Sequence, residues 1–391
     1  MLFGLRGIRP MNADLLYRRL DAARRRFLQT RSVGDIARSI GVLSGKWLRS
    51  DNSHRRRAIR RLRQLGYPEP IARSTLDDLF GQLRWSHLMR ILRSEIGNPG
   101  FLDGFCRDRS SNRLRLARGP GVVTQVFPSN VPTAPIFSCV LAMLVKSASI
   151  AKTSSRSVGI LDLYLQSLRL HDKGLAACCH LLAAGDRGCI KAIAGRSDLA
   201  VIYGSDRTVE RFKKGLGGCQ TRVIGYGHKT SFGFYLRDAF LPARLSRLAQ
   251  KTALDVSAFN QEGCLSPKIF FVQCSDSVRL ELFCRLLNES LASVWKDRQK
   301  RLCARGVWSM HRSKIAEGLT AVRGGRGPSV TRVPGTSWQI VKTDIDGSLD
   351  YLDQIHVVCL AVFGKTEPVL KLLEASRKHL QAVSLCGAKP A

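Results

Sequence analysis

Between Gly121 and Tyr226 the sequence alternates short apolar runs with helix-patterned stretches, and this rhythm constrains the fold more than any other feature. Residues 122–127, 149–153, 199–204 and 222–226 read as strands. Residues 131–147, 158–170 and 206–214 read as helices, the first opened by Asn130 and Pro132, since proline is tolerated near a helix start. A β-α-β-α-β order predicts a parallel sheet with helices on its faces. In such sheets ligands bind beyond the carboxyl ends of the strands.

The flanks read differently. Residues 1–118 are helical in pattern: Val33, Ile36, Ala37, Ile40, Leu43 and Trp47 recur at helical spacing, with Ser32 placed to cap. Leu76, Leu79, Phe80 and Leu83 repeat the pattern, and residues 97–104 break it. From about residue 229 a second α/β unit is expected, with strands at 231–235, 268–274 and 355–363 and helices at 245–258 and 278–295. Residues 324–335 read as a Gly/Pro/Arg loop. The expected parts are a helical 1–118 packing on the next domain, a nucleotide-type domain at 119–228 and a second domain at 229–391.

Charge and cysteine usage bound the function. With 63 Lys and Arg against 30 Asp and Glu, the net charge of +33 draws anions of every kind, nucleic acid and acidic lipid included. No helix-turn-helix, zinc finger, RNP motif or KH loop accompanies it, so no specific nucleic-acid partner is expected. The most apolar stretch, 136–150, is short and carries Lys146, so no transmembrane segment is expected. The Arg-rich N-terminus, with Leu5, Ile8, Leu15, Leu16 and Leu20, fits a surface helix better than a transit peptide. None of the 12 cysteines forms a C-x-x-C pair or a zinc spacing, which points to no metal and to a reducing, cytoplasmic setting.

The standard nucleotide motifs are missing: there is no phosphate-binding G-x-x-x-x-G-K-[ST] loop, and Gly225-Tyr226-Gly227-His228-Lys229-Thr230 ends in Thr where a dinucleotide fingerprint needs Gly. The densest polar constellation is Phe259-Asn260-Gln261-Glu262-Gly263-Cys264-Leu265-Ser266-Pro267, one cysteine between a helix and a strand. Gly263 gives the backbone room to bend and the thiol room to face a cleft. A single Cys after Gly is otherwise commonly a buried structural thiol.

The company of that cysteine decides its reading. The phrases "VFPSNVP" (126–132), "AKTSS" (151–155), "YGS" (203–205), "GYGHKTSFG" (225–233) and "NQEGCLSP" (260–267) fall in an order and spacing that resembles the aldehyde-dehydrogenase superfamily. Within it the chain is most similar to the acyl-CoA reductases of the LuxC type, over about residues 30–385. The resemblance implies an α/β fold with a Rossmann-like cofactor domain and a second α/β catalytic domain. It implies Cys264 as nucleophile toward a fatty acyl-CoA or acyl-protein thioester, reduced by NADPH to the aldehyde. The oxyanion donors would be Asn130 and the Cys264 amide, although Asn130 also fits a simple helix cap. Lys152 matches a ribose-binding lysine, with an ordinary surface lysine as the other reading. Ser155 and Arg156 stand where NAD-preferring relatives carry a Glu, and a Ser beside an Arg favours a 2′-phosphate. Gly204, Ser205 and Gly227 complete the cofactor set, the first two as a pyrophosphate turn or simply as a strand-to-helix turn. His228 is an acid/base candidate or a structural hydrogen-bonder. The resemblance also implies a homo-oligomer and an acyl-protein synthetase or acyltransferase subunit as donor.

Three departures stand beside the matches. Gly225 replaces the Glu that serves oxidising relatives as the base for hydrolysis, which favours aldehyde over acid release. The Glu-x-Phe-Gly-Pro motif has no counterpart near residues 353–363, and against the resemblance a short C-terminal closing segment is expected, the sequence stopping at Ala391. Glu262, two residues before the nucleophile, has no assigned role. The rival readings are an inactive scaffold relative, a basic nucleic-acid binder and a cysteine hydrolase.

Overall fold

A computed structural model describes residues 12–128, 130–154, 159–182, 189–295, 329–345 and 356–387. The described residues divide into two compact units, one within Met1–Arg61 and Ser74–Gly227, the other within Leu62–Arg73 and His228–Ala391.

Helices open the chain. The side chain of Asn12 accepts the Asp14 and Leu15 amides to start α1 (Ala13–Phe27), which buries Leu16 and Leu20. Ser32 caps α2 (Val33–Leu48) as its position promises, accepting the Asp35 amide at 3.1 Å. All six apolar residues at helical spacing on α2 are buried, and Trp47 stacks on Phe80 at 4.4 Å while donating to Ser167 at 2.9 Å. Helices α3 (Ser53–Gln64), α4 (Glu69–Gln82) and α5 (Trp85–Ile96) follow. The expected all-helical stretch to residue 118 is corrected at its end, where β1 (Cys106–Arg107) and β2 (Leu114–Arg115) form a small antiparallel hairpin.

The first unit carries the alternation. Strands β3 (Val122–Val126), β4 (Ala148–Lys152), β5 (Cys179–Leu182), β6 (Leu199–Tyr203) and β7 (Arg222–Tyr226) form one parallel sheet in the order β5-β4-β3-β6-β7. All five residues of the central strand β3 are buried, so it reads as a continuous run rather than an alternation. From β3 the chain steps outward through β4 and β5, then crosses back to β6 and β7. The strand order therefore reverses between β3 and β6, the place where ligands gather in doubly wound sheets. Helix α6 runs Ala134–Leu144 rather than 131–147. Pro132 disfavours helical geometry at Val131, and Pro135 sits in the first turn where proline is tolerated, so Thr133, not Asn130, is the N-terminal flank. Helices α7 (Ile160–His171), α8 (Lys173–Ala177), α9 (Cys189–Arg196) and α10 (Asp206–Gly215) complete the unit.

The second unit holds a six-stranded sheet in the order β10-β11-β12-β9-β8-β13. Its members are β8 (Thr230–Tyr235), β9 (Ile269–Val272), β10 (Ser329–Arg332), β11 (Gln339–Thr343), β12 (Val357–Val362) and β13 (Leu380–Cys386). Only the β10–β11 pair is antiparallel. The expected loop at 324–335 is corrected in its described part, since Ser329–Arg332 is an edge strand. On β9 the period of two is plain: Phe270 and Val272 join the core under α11 (Pro242–Ser257) and α12 (Ser277–Trp295), while Ile269 and Phe271 join the core under α13 (Thr366–Ala375). Among the described residues no helix is long and apolar enough to cross a membrane.

Candidate active site

In the first unit, five of the sequence-picked residues sit at one edge of the sheet, the carboxyl ends of its strands. Asn130 follows β3, Lys152 ends β4, Gly204 and Ser205 follow β6, and Gly227 follows β7. The Phe127 amide donates to the Lys152 carbonyl at 2.9 Å and the Gly204 amide to the Tyr226 carbonyl at 3.1 Å, which fastens neighbouring strand ends together. Asn130 buries its side-chain oxygen. Ser155 and Arg156 lie outside the described residues.

The turn after β6 behaves as a capped helix start. Ser205 Oγ accepts the Thr208 amide at 3.3 Å and shares a 3.0 Å hydrogen bond with the Thr208 hydroxyl. Asp206 then occupies the first turn of α10, where a carboxylate suits the positive end of the helix. Its Oδ1 lies so close to Gly227 that an added Cβ there would come within 1.9 Å, so a side chain at 227 would displace the Asp206 carboxylate. At Gly225 a Cβ would meet Val209 Cγ1 of α10 at 2.1 Å, so a side chain there would require Val209 to move.

Sequence reasoning missed an aromatic feature of this edge. Phe127, Tyr203 and Tyr226, one per neighbouring strand end, stack nearly parallel, at 5.6 Å and 14° for the first pair and 4.8 Å and 12° for the second. The only signal for it is that Tyr203 and Tyr226 each end a strand and Phe127 follows one.

The second unit carries the cysteine. After α11 a 3-10 turn, Ala258–Gln261, leads into the loop of Cys264, with Phe259 at φ +50° and Gln261 at φ +60°. Two non-glycine residues in left-handed geometry each cost on the order of 1 kcal/mol, and such strain persists only where surrounding contacts over-determine it. Those contacts are specific. The Gln261 side chain, 0% exposed, donates to the Val357 carbonyl at 2.6 Å and accepts the Val357 amide at 3.1 Å. Ser231 donates to the Cys264 carbonyl at 2.6 Å, and Ser266 to the Ala258 carbonyl at 2.8 Å. Gln261, Ser231 and Ser266 were not singled out as site residues from sequence. Because Val357 opens β12, Ser231 is second in β8, and the loop runs into β9, the cysteine loop lies at the amino edge of this sheet. The sequence-picked residues thus lie at the carboxyl edge of the first sheet, and the cysteine loop at the amino edge of the second.

Cys264 is exposed, and its neighbour Leu265 is 62% exposed. Partial burial of its sulfur pushes the thiol pKa above the ordinary cysteine value, while the Cys264 and Leu265 amides pull it back by hydrogen bonding. Among the described cysteines only Cys219 is also exposed. Burial pushes Cys178 and Cys359 up to about 12 and Cys284 to about 11, so those thiols stay protonated and inert. His228, two residues before β8, is exposed; its Nε2 lies 3.3 Å from Thr230 Oγ1 and its carbonyl 3.4 Å from His379 Nδ1. Among the described residues no group of three or more His, Cys, Asp or Glu is placed to hold a metal ion.

A parallel 3-2-1-4-5 type sheet followed by a second sheet carrying one exposed cysteine is the aldehyde-dehydrogenase architecture. Solved structures agree. The putative aldehyde dehydrogenase PutA of Anabaena variabilis matches with a TM-score of 0.64 at 15% identity, over 97% of this chain and 85% of that one. A mutant AldA indole-3-acetaldehyde dehydrogenase of P. syringae, in complex with NAD+ and IAA, matches with a TM-score of 0.66 at 16% identity, over 99% and 84%. The aldehyde dehydrogenase KauB of Pseudomonas aeruginosa matches with 0.65 at 15%, over 99% and 84%. No curated protein sequence is significantly similar. Residues 28–390 match the family described as acyl-CoA reductase (LuxC). The chain belongs to that family, and so to the oxidoreductases that work on acyl and aldehyde groups.

Proposed function

We propose that the protein reduces a long-chain fatty acyl thioester, as acyl-CoA or acyl-protein, to the fatty aldehyde with NADPH, through an acyl group held on Cys264. The observation that carries this reading is the Cys264 loop itself: an exposed thiol fed by two backbone amides and locked by Ser231 and Gln261.

The Cys264 thiol gives its proton to a base, for which His228 is the candidate, and the thiolate attacks the thioester carbonyl. The sulfur–carbon bond to Cys264 forms, the bond to the carrier sulfur breaks, and the carrier leaves as a thiol. When bound, NADPH supplies one hydride to the acyl carbon. The resulting oxyanion on Cys264 takes a hydrogen bond from the Cys264 amide, a donor of the kind that contributes about 3 kcal/mol in acyl-transfer enzymes. Breaking the remaining carbon–sulfur bond releases aldehyde and returns the thiolate, which takes up a proton. The balance is one thioester, one NADPH and one proton in; one aldehyde, one thiol and one NADP+ out. Gly225 leaves no carboxylate at that position to activate water, which protects the acyl group from hydrolysis.

The residues of the first unit fit a nicotinamide dinucleotide. Lys152 offers a cation at the β4 end, α10 offers its N-terminal amides, and Ser155 with Arg156 would receive the 2′-phosphate. NADPH should be consumed in step with aldehyde formation when long-chain acyl-CoA is added, with NADH slower. Fatty acid as the product, or no turnover by the folded full-length chain, would overturn the proposal.

One group works against cofactor affinity. Asp206 places a carboxylate at the start of α10, where a pyrophosphate would sit. Asp206→Asn is expected to tighten NADPH binding about 3- to 10-fold at low salt, the repulsion of two charges a few ångströms apart in a half-solvated site. High salt should erase the gain. Calorimetric titration at low and high ionic strength checks it, and weaker binding by the variant at low salt would show that the carboxylate assists instead.

A further inference from the structure

The hairpin of β1 and β2 in the first unit stands apart from the parallel sheet. No third strand joins it among the described residues, and two strands alone are marginal without an anchor. The anchor lies at its foot. The Ala117 amide donates to the Phe101 carbonyl at 2.7 Å, and Asp103 accepts the Val33 amide at 2.8 Å and pairs with Lys146 at 2.8 Å. The turn is tied as well. The Asp108 amide donates to the Arg113 carbonyl at 2.8 Å, while the Asp108 carboxylate accepts from Ser110 and Ser111 and pairs with Arg115 at 3.0 Å. A hairpin braced at foot and turn therefore presents its outer residues to solvent, and those residues are patterned. The antiparallel register pairs Arg107 with Leu114, so the two share a face, and the period of two puts Phe105 on it beside them. Phe105 is 71% exposed and Leu114 66% exposed, although both are large and apolar. Around them stand five exposed arginines, Arg107, Arg109, Arg113, Arg115 and Arg118, against the one Asp108. Burial within the chain explains neither apolar side chain.

We infer that this hairpin docks the protein on an anionic membrane surface, with Phe105 and Leu114 entering the boundary between headgroups and acyl chains and the arginines lying among the lipid phosphates. Charge selects this occupant. A second copy of the chain would set five arginines against five, and like charges repel. A protein partner needs roughly 800 Å² of matched surface on each side, more than the outer face of so short a hairpin supplies. A bilayer sets no such minimum. Each apolar side chain enters it independently, and each arginine near an anionic surface adds to the attraction. Guanidinium groups suit the place because they form paired hydrogen bonds to phosphate oxygens. Long-chain acyl groups and aldehydes dissolve in the same bilayer, but the docking does not depend on the reaction proposed at Cys264.

The test is flotation of the full-length protein with vesicles of phosphatidylcholine alone and of phosphatidylcholine mixed with phosphatidylglycerol. The wild type should float with the anionic vesicles and bind the neutral ones about 10-fold or more weakly. The double variant Phe105→Ala, Leu114→Ala should lose about 10- to 100-fold in binding to anionic vesicles, because two apolar side chains no longer enter the boundary. Both side chains are exposed, so its melting temperature should stay within about 2 °C of the wild type. Arg109→Gln with Arg113→Gln should weaken binding about 10-fold. Arg56→Gln with Arg60→Gln removes as much charge from α3, which follows the far end of the 16-residue α2 whose first residue, Val33, meets the hairpin's foot. That pair should weaken binding less than about threefold. Unchanged binding by the Phe105, Leu114 double variant would mean that net charge alone attracts the vesicles, and it overturns the inference. So do equal losses in the two arginine pairs, and so does a wild type that does not float. Self-association of the wild type without lipid, abolished in the Phe105, Leu114 variant, would give the face to a second copy and also overturns it.

Discussion

Replacing Cys264 by alanine should abolish aldehyde formation, by about 1,000-fold or more, because it removes the nucleophile that carries the acyl group. Burial holds the Cys178, Cys284 and Cys359 thiols protonated, and Cys219, the other exposed one, follows α10 in the first unit, outside the cysteine loop. The decisive measurement is the intact mass after incubation with acyl-CoA in the absence of NADPH. The wild type should gain one acyl group and lose it, as aldehyde, on adding NADPH; Cys264→Ala should gain nothing. The pH dependence has a definite sign. Burial holds the Cys264 thiol above the usual cysteine value, so its thiolate fraction is small at neutral pH and rises with pH through the alkaline range. Acylation measured without NADPH should therefore accelerate by up to about tenfold per pH unit until that pKa is passed. A rate that is flat from neutral to alkaline pH would mean that the thiol is already ionised, with an activating partner that the amide contacts do not supply. An adduct that persists on the Ala variant would move the nucleophile elsewhere and sink the mechanism.

What the sequence revealed and what it hid have physical reasons. Strands β3, β4 and β6 were legible because parallel strands with covered faces are rich in apolar residues and bounded by turns, whereas the exposed edge strand β7 was legible only through its Val223-Ile224 pair. Strand β5, with helices α8 and α9, was missed: it is an edge strand whose His180 interrupts the apolar run, in an Ala- and Cys-rich stretch with no clear period. Strands β10 and β13 were hidden for the same reason, being edge strands with little burial to impose a pattern. Cys264 was legible through its neighbours in sequence, whereas the clamp that shapes its loop was not. Gln261 and Val357 are 96 residues apart, and nothing local in either segment announces the pairing. The start of α6 lies three residues beyond the one that the capping side chain of Asn130 suggests, because Pro132 keeps Val131 out of helical geometry and Pro135 is accommodated in the first turn.

That clamp is the second place where a single change should have a large effect. Gln261→Ala is expected to destabilise the second unit by about 2–4 kcal/mol, because two backbone groups of Val357 and none of their former partners would remain in a buried site. For a unit of this size the melting temperature should fall by roughly 5–15 °C. The cost does not come from lost hydrogen bonds alone. Gln261 and Phe259 hold left-handed backbone geometry that the loop abandons once the clamp is gone, so part of the stored strain is released and the net loss stays below the sum of the two orphaned groups. The released loop should no longer present Cys264 in one geometry. Acylation should slow, while alkylation by a small reagent, which needs only an exposed thiolate, should be unchanged or faster. Gln261→Glu keeps an acceptor for the Val357 amide but loses both donors and adds a buried charge, and it should be no more stable than the alanine variant. Gln261→Ala melting within about 2 °C of the wild type, with acylation intact, would show that the cysteine loop owes its shape to Ser231 and Ser266 and not to the tie between Gln261 and the first residue of β12.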